Sequence, residues 1–348
     1  MNCKWKSKNN TSCNRHIKDG HTCVFHKNNK NKRENILFNH YIKKEKITYF
    51  LGFMFEEDFD IKETVNYKYK YLKFEDCTFY KKANFSNFSF ERDIEFLNCK
   101  FLDETSFCNS DINSNFVMNG NYFNKNIINN KIFKNSDIKG QSFKLIGNSN
   151  LPRLDGISFS KETKFTLRDC HYIKSYNYIG KINYTIAEIQ AEKIHDDKNI
   201  GYYIYYERKY NTINRDDFKS YGEYLISKVL NYVARELMGY GEHLSKFFFY
   251  IICIISGFAL IYMFIGITTL SGEMIKLDLK NMNSYSISQI IKMYIEFWYF
   301  SVITFSTVGF GDMIINGIIG KILVCFEVFI GITIQSTWAA LIIKRMFR

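Results

Sequence analysis

Apolar residues are spread along this chain in two different ways, and the change falls near residue 246. Before it, large apolar residues recur about every five positions over a long stretch. That spacing suits neither a helix, with a period of about 3.6, nor a half-buried strand, with a period of about 2. After it come two long apolar runs. The first, Phe247–Gly266 (FFFYIICIISGFALIYMFIG), is free of charge; about 20 residues rising about 1.5 Å each cross a hydrocarbon core of about 30 Å. The second, Gly320 to Ile343, carries a carboxylate, Glu327, in its interior. Such a group costs on the order of 3 kcal/mol at a bilayer centre, so it is expected to face protein or water. The bland expectation is a hydrogen bond to the back of a neighbouring element; the sharper one is a direct part in the protein's function. Between the runs, Ser284–Gln289 (SYSISQ) offers helix N-caps, and a semi-apolar stretch with Trp298 and Tyr299 extends to Phe305. Lys292 and Glu296 interrupt it, so it predicts a short re-entrant helix and not a third span.

In the first part the blocks FEDCTF (74–79), FSNFSF (85–90), FLNCKF (96–101), FCNSDI (107–112) and MNGNYF (118–123) align with a step of 11 residues. INNKIF (128–133) and IKGQSF (138–143) follow at a step tightened to 10, with LDGISF (154–159) as a late echo. This resembles a pentapeptide-repeat domain. The resemblance implies a right-handed, four-sided β-helix with inward Phe and Ile, corners of Asn, Asp and Ser, and stacked small residues such as Cys77 and Cys99. Cys108 and Cys170 are read in the same way, as packing groups and not redox centres. The wording departs from the family, whose frequent A-(D/N)-L-x-x gives way here to Phe-rich versions. Members of that family that mimic DNA are acidic, whereas this chain has a net charge of +12, so no nucleic-acid or topoisomerase role is expected.

Beyond the repeats, Ile186–His195 and Gly201–Tyr210 predict two short amphipathic helices around a turn at Asp196–Gly201, and about Ser220–Leu237 predicts a longer one. With GYGEHLSK (239–246) before the first span, this stretch resembles the linker of bacterial and archaeal proteins that join pentapeptide repeats to a two-span channel. The Tyr-rich run Tyr202–Tyr206 is expected in core packing or at a membrane surface.

The positive charge has a simple account. Lys219, Lys228, Arg235 and Lys246 precede the first run, and Lys344, Arg345 and Arg348 follow the second. Cations collect on the cytoplasmic side, so both termini are expected there, which two spans satisfy. No secretory signal opens the chain, and its nine cysteines are therefore not expected to form disulfides. Cys3, Cys13, Cys23 and His26, with His16 and His21 nearby, form a candidate zinc set in which Cys23-x-x-His26 is a half-site. The long intervals are not those of a standard finger, and the alternative is a Lys/Asn-rich tail with incidental cysteines.

The chemistry concentrates in Thr304-Phe305-Ser306-Thr307-Val308-Gly309-Phe310-Gly311-Asp312. A dehydrated cation needs a closely spaced column of oxygens, and backbone carbonyls supply one without trapping the ion. Turning successive carbonyls one way calls for conformations that glycine adopts cheaply, hence Gly309 and Gly311. Val308 and Phe310 then turn outward onto the pore helices, and Thr307 adds an innermost hydroxyl.

TFSTVGFGD resembles the potassium-channel signature, commonly TxTTVGYGD with GFG as a variant, in register over about Phe247–Arg348. The resemblance implies a homotetramer with potassium ions bound at Thr307, Val308, Gly309, Phe310 and Gly311. It implies filter support from Trp298 and Ser306, an outer-mouth charge at Asp312, and a cavity lined by Ile332, Gln335 and Ala339. Those three are otherwise lipid- or helix-packing residues, and Gly331 is either a hinge or a close-packing residue. Ser306 replaces a Thr, Ile303 stands where some members have Glu, and the proline common after the filter is missing from Met313–Asn316. No Arg-rich span predicts a voltage sensor.

The expected fold is an α+β membrane protein: a Cys/His segment at 1–48, a β-helix at 49–180, a helical linker at 181–246 and a pore domain at 247–348. The expected function is a potassium channel of the plasma membrane, not an enzyme, since no triad, phosphate loop or paired carboxylates occur in context. Its repeat domain is expected to regulate or to dock a cytoplasmic protein. Regulation by the chain's own soluble parts is expected to enter through residues 1–246 by a pull on the first span. The alternatives are a weakly selective cation pore or a membrane-anchored adaptor.

Overall fold

The structure is a computed structural model describing residues 2–7, 11–13, 15, 22–65, 69–236, 239, 244–278 and 285–346. His16, His21, Ser284, Arg348 and most of the GYGE motif lie outside the described residues. The chain is α+β and separates into two units, Met1–Tyr224 and Leu225–Arg348.

The first unit is a β-solenoid. Its longest sheet stacks Tyr49–Leu51, Leu72–Glu75, Ile94–Leu97, Phe116–Asn119, Ser142–Ile146 and Lys164–Arg168, every pair parallel. Three further parallel sheets form the other faces. The sequence rule behind it is a corner residue in the left-handed region. Asp76, Asn87, Asn98 and Asn109 all have φ 53°, and Gly120 follows at 67°. These are the third positions of the first five aligned blocks, which is why they read Asp, Asn or Gly: short polar side chains bond locally in that conformation and glycine has no Cβ to clash. The INNKIF and IKGQSF blocks depart from the rule. A 3-10 turn at Lys125–Ile127 lengthens that coil and moves the corner to Asn135, φ 57°.

With corners fixed, each inward Phe lies over its counterpart one coil away. Phe50, Phe74 and Phe96 stack at 4.5 and 4.9 Å; Phe55, Phe79, Phe101 and Phe123 stack at 4.6, 5.0 and 4.9 Å. These separations match the strand spacing of about 4.8 Å, so each column adds one ring per coil. Removing one such ring typically costs about 3–5 kcal/mol. Beside the corner runs a second ladder, in which each side chain donates to a carbonyl of the preceding coil. Cys77 reaches Phe50 O at 3.0 Å, Cys99 reaches Phe74 O at 3.3 Å, and Asn121 and Asn148 reach Phe96 O and Met118 O at 3.0 Å. Cys170 closes the row at 3.7 Å from Leu145 O. Burial pushes its thiol up to about 12, which keeps it a protonated packing group.

Both ends of the solenoid are covered. At the amino-terminal end α1 (Lys32–Glu45), opened by an Asn31–Glu34 capping box, buries Phe38 and Ile42. Phe25 stacks on Phe53 at 4.3 Å, and Phe53 packs on Phe50 of the first coil at 5.4 Å. A single-turn helix, α2 (Ile61–Thr64), follows. The amino-terminal segment thus shares the solenoid's core and is not a tail. At the other end, α3 (Asn177–Lys193) and α4 (Asp197–Tyr210) are longer than the sequence pattern indicates. They satisfy the last coil: Tyr203 donates to Phe165 O at 3.1 Å, Gln190 to Thr163 O at 2.9 Å and Tyr210 to Cys170 O at 3.0 Å. An open sheet edge is an aggregation template, and these side chains close it. The Tyr202–Tyr206 run is therefore core packing. It follows that 181–246 is not one linker, since α3 and α4 belong to the solenoid. Only α5 (Tyr221–Glu236) crosses the boundary between the units, and it buries none of its side chains.

The second unit holds α6 (Leu244–Ile265), α7 (Ile287–Phe305) and α8 (Gly317–Met346). Within α6 and α8, Ser245–Ile265 and Gly317–Ile343 are long and apolar enough to cross a membrane. An antiparallel three-stranded sheet, absent from the sequence reading, pairs Ile267–Thr269 with both Met274–Ile275 and Met313–Ile315.

Candidate functional site

The site is built on α7. Ser286 caps it reciprocally with Gln289, whose side chain accepts from the Ser286 amide at 2.8 Å. Its carboxyl-terminal half is buried at Phe297, Phe300, Ser301, Ile303, Thr304 and Phe305. The helix runs 19 residues and ends at Phe305.

The helix ends in a left-handed residue. Ser306 is the C-cap, Thr307 N donates to Thr304 O and Val308 N to Ile303 O, both at 3.0 Å. That pair of bonds is the usual helix stop with glycine in the left-handed place; here Thr307 fills it at φ 59°. A β-branched residue there stores on the order of 1–3 kcal/mol of strain. Gly309 and Gly311 follow at φ 51° and 77°, so φ is positive at every second residue from Thr307 to Gly311. A backbone of alternating hand gathers its amides on one side and its carbonyls on the other. Glycine accounts for two of the three left-handed places, and no atom lies within 4 Å of a Cβ built on either. What holds those glycines is backbone conformation alone, not crowding.

Val308 and Phe310 point away and are 53% and 70% exposed. Asp312 is held by Tyr299, whose hydroxyl donates to Oδ2 at 2.8 Å. The expected supporting aromatic, Trp298, is exposed instead, and the neighbouring Tyr299 is the residue that sequence reasoning missed. Ser306 Oγ donates back to Ile303 O at 3.3 Å. Downstream, the loop is anchored where Leu270 N donates to Asp312 O at 3.1 Å.

On α8, Gly331 lies directly against the end of α7: a Cβ built there would sit 2.1 Å from Phe305 O. Of the two readings left open for Gly331, this geometry is that of close packing. Gln335, four residues on, donates to the same Phe305 O at 3.0 Å, so one of the expected cavity residues bonds the helix end. Ile332 and Ala339 are exposed. Glu327 is fully buried. Its Oε2 accepts from Tyr262 of α6 at 2.7 Å, and its Oε1 meets the hydroxyl of Ser301 on α7. The carboxylate therefore ties all three helices together, which is the blander of its two expected roles.

In the first unit, the ligand atoms of Cys3, Cys13, Cys23 and His26 all lie within 4.8 Å of one another.

Residues 281–348 match a family model described as Ion channel. No curated protein and no solved structure matches the chain. The family match, with the two apolar helices, supports an ion channel function for a membrane-embedded second unit.

Proposed function

We propose that the chain is one subunit of a homotetrameric, potassium-selective channel of the plasma membrane, with Thr307–Gly311 as its filter. The observation that carries this reading is the reversal of φ at Thr307, Gly309 and Gly311, directly after a helix stop. Four such strands around an axis would offer rings of carbonyl oxygens at the spacing a dehydrated potassium ion needs. α7 would aim its negative carboxyl end at the cavity below. Val308 and Phe310, bare in the single chain, are the apolar side chains a neighbouring subunit would cover. Ile332 and Ala339 lie on the exposed side of α8, available to line that cavity. Lys246 and the cations after Ile343 favour both termini on the cytoplasmic side.

The test is the reversal potential of purified protein in planar bilayers under opposing potassium and sodium gradients. A value close to the potassium equilibrium potential is expected. A value near zero would mean a weakly selective pore, and no current would leave an adaptor with an idle pore. Gly309→Ala is expected to abolish selectivity, because the left-handed region costs an L-residue about 1–2 kcal/mol in each chain.

The solenoid is assigned to regulation or partner docking in the cytoplasm. Both of its ends are covered, so a partner would meet its lateral faces, and α5 would carry the resulting pull toward the first span. Cutting the chain before Ser220 checks this: altered gating is expected, and a truncated tetramer that gates as the intact one does would refute it.

A further inference from the structure

We infer that Cys3, Cys13, Cys23 and His26 bind one zinc ion that fastens the amino-terminal segment onto the first coil of the solenoid. The inference stands on the first unit alone and does not depend on the channel reading.

The four ligands come from two short devices. Cys3 N donates to Arg15 O at 3.0 Å and Cys13 N to Trp5 O at 3.2 Å, and Lys6 pairs with Ser12 in an antiparallel bridge. This ribbon sets Cys3 and Cys13 on facing strands. Cys23 and His26 close a turn in which His26 N donates to Cys23 O at 3.0 Å. Their side chains converge. Cys23 Sγ lies 3.1 Å from His26 Nδ1, Cys3 Sγ 3.5 Å from the same nitrogen, and Cys13 Sγ 3.9 Å from Cys23 Sγ. Zinc takes sulfur at about 2.3 Å and imidazole nitrogen at about 2.0 Å, so the edges of its tetrahedron are about 3.5–3.8 Å. The observed separations bracket that value.

The surroundings suit a metal as well. His26 Nε2 sits 2.7 Å from Leu51 O; that carbonyl can only accept, so Nε2 carries the proton and Nδ1 presents its lone pair to the sulfurs. The Trp5 ring lies parallel to the imidazole at 4.2 Å and fixes its plane. The Cys23 amide donates to Cys3 Sγ at 3.2 Å, a bond that favours a thiolate. Cys3, Cys23 and His26 are buried. The thiols of the solenoid show what this chain does with a purely structural cysteine: Cys77, Cys99 and Cys170 each donate to a carbonyl of the preceding coil. The three thiols of the cluster face one another and a ring nitrogen.

Three soft thiolates and an imidazole select zinc over magnesium or calcium, whose ligands are oxygens. Four protein ligands leave no open position, so the ion would be structural and not catalytic. Its place explains Gly52. A Cβ there would lie 1.9 Å from Trp5 Cζ2, because Trp5, His26 and Leu51 O are drawn together where the segment meets the first coil.

The test uses the full-length protein. Purified without chelator, it is expected to carry about one zinc per chain by elemental analysis, as structural sites of this class do. After stripping, cobalt(II) alone should give the visible bands of a tetrahedral site and a thiolate charge-transfer band in the near ultraviolet. Cys13→Ser, at the least buried ligand, should reduce bound zinc to below about a tenth per chain, whereas Cys108→Ser should leave it unchanged. The wild-type cobalt spectrum needs no variant to fold. An intact protein with neither zinc nor the cobalt bands would overturn the inference. A Cys13–Cys23 disulfide in peptides from protein prepared without reductant would overturn it too.

Discussion

Gly331→Ala is expected to prevent the second unit from packing and to abolish current, while Gly257→Ala leaves both unchanged. The two glycines sit in apolar helices of similar composition, and what separates them is the neighbour. A Cβ at Gly331 would lie 2.1 Å from Phe305 O and 3.0 Å from Phe305 C, whereas one at Gly257 meets nothing within 4 Å. The obstacle at Gly331 is backbone and cannot rotate away, so α8 must retreat from the end of α7. Overpacking of this kind costs about 1–3 kcal/mol per chain. The retreat also stretches the bond from Gln335 to Phe305 O, for a further loss of about 1 kcal/mol. Phe305 lies two residues before Thr307, so the displacement reaches the loop whose backbone hand sets its carbonyls. Thermal melting in detergent together with single-channel recording checks the pair. A Gly331→Ala protein that melts and conducts like wild type would restore the hinge reading of this residue.

The solenoid was legible because one backbone rule repeats. A left-handed corner selects Asn, Asp or Gly, and an inward ring selects Phe, so the pattern reaches the sequence directly at Asp76, Asn87, Asn98, Asn109 and Gly120. Legibility fails where the coil lengthens: a 3-10 turn at Lys125–Ile127 uses ordinary polar residues and leaves no period. The capping role of α3 and α4 was hidden for another reason, since Gln190, Tyr203 and Tyr210 act on carbonyls of other elements. In the second unit the order of α6, α7 and α8 follows from apolarity and length. The choice of Tyr299 over Trp298 as the partner of Asp312 depends on helix phase, which two adjacent aromatics do not reveal. The small sheet at Ile267–Thr269 had a local signal, a β-branched run before a turn glycine, Gly272 at φ 79°, but one of its two partners, Met313–Ile315, lies far along the chain. Among the Cys/His residues, order alone gave four donors at irregular intervals; only the ribbon pairing of Cys3 with Arg15 gathers them.

Glu327→Ala is expected to destabilise the second unit by about 3–5 kcal/mol, the usual effect of breaking a buried polar network by removing one partner, whereas Glu327→Gln is expected to stay folded and conduct. The difference lies in the proton count. The Ser301 hydroxyl has one proton and faces two oxygens, Glu327 Oε1 and, at 3.0 Å, Ile255 O of α6. Tyr262 spends its own proton on Oε2. A glutamine meets every demand: its amide donates to Ser301 Oγ, Ser301 donates to Ile255 O, and its carbonyl accepts from Tyr262. Alanine strands the Tyr262 hydroxyl in the protein interior, leaves Ser301 only its bond to Ile255 O, and opens a cavity between α6, α7 and α8. Each unpartnered group costs about 1–3 kcal/mol, and lipid has no water to offer it. Tyr262→Phe in the Ala background should then recover part of the loss, because it removes an orphaned hydroxyl while keeping the ring against Phe300, 5.2 Å away. Melting temperatures of the four proteins decide the matter. If alanine and glutamine proved equally stable, the carboxylate would not be the tie among the helices, and a part in gating would be the reading left for it.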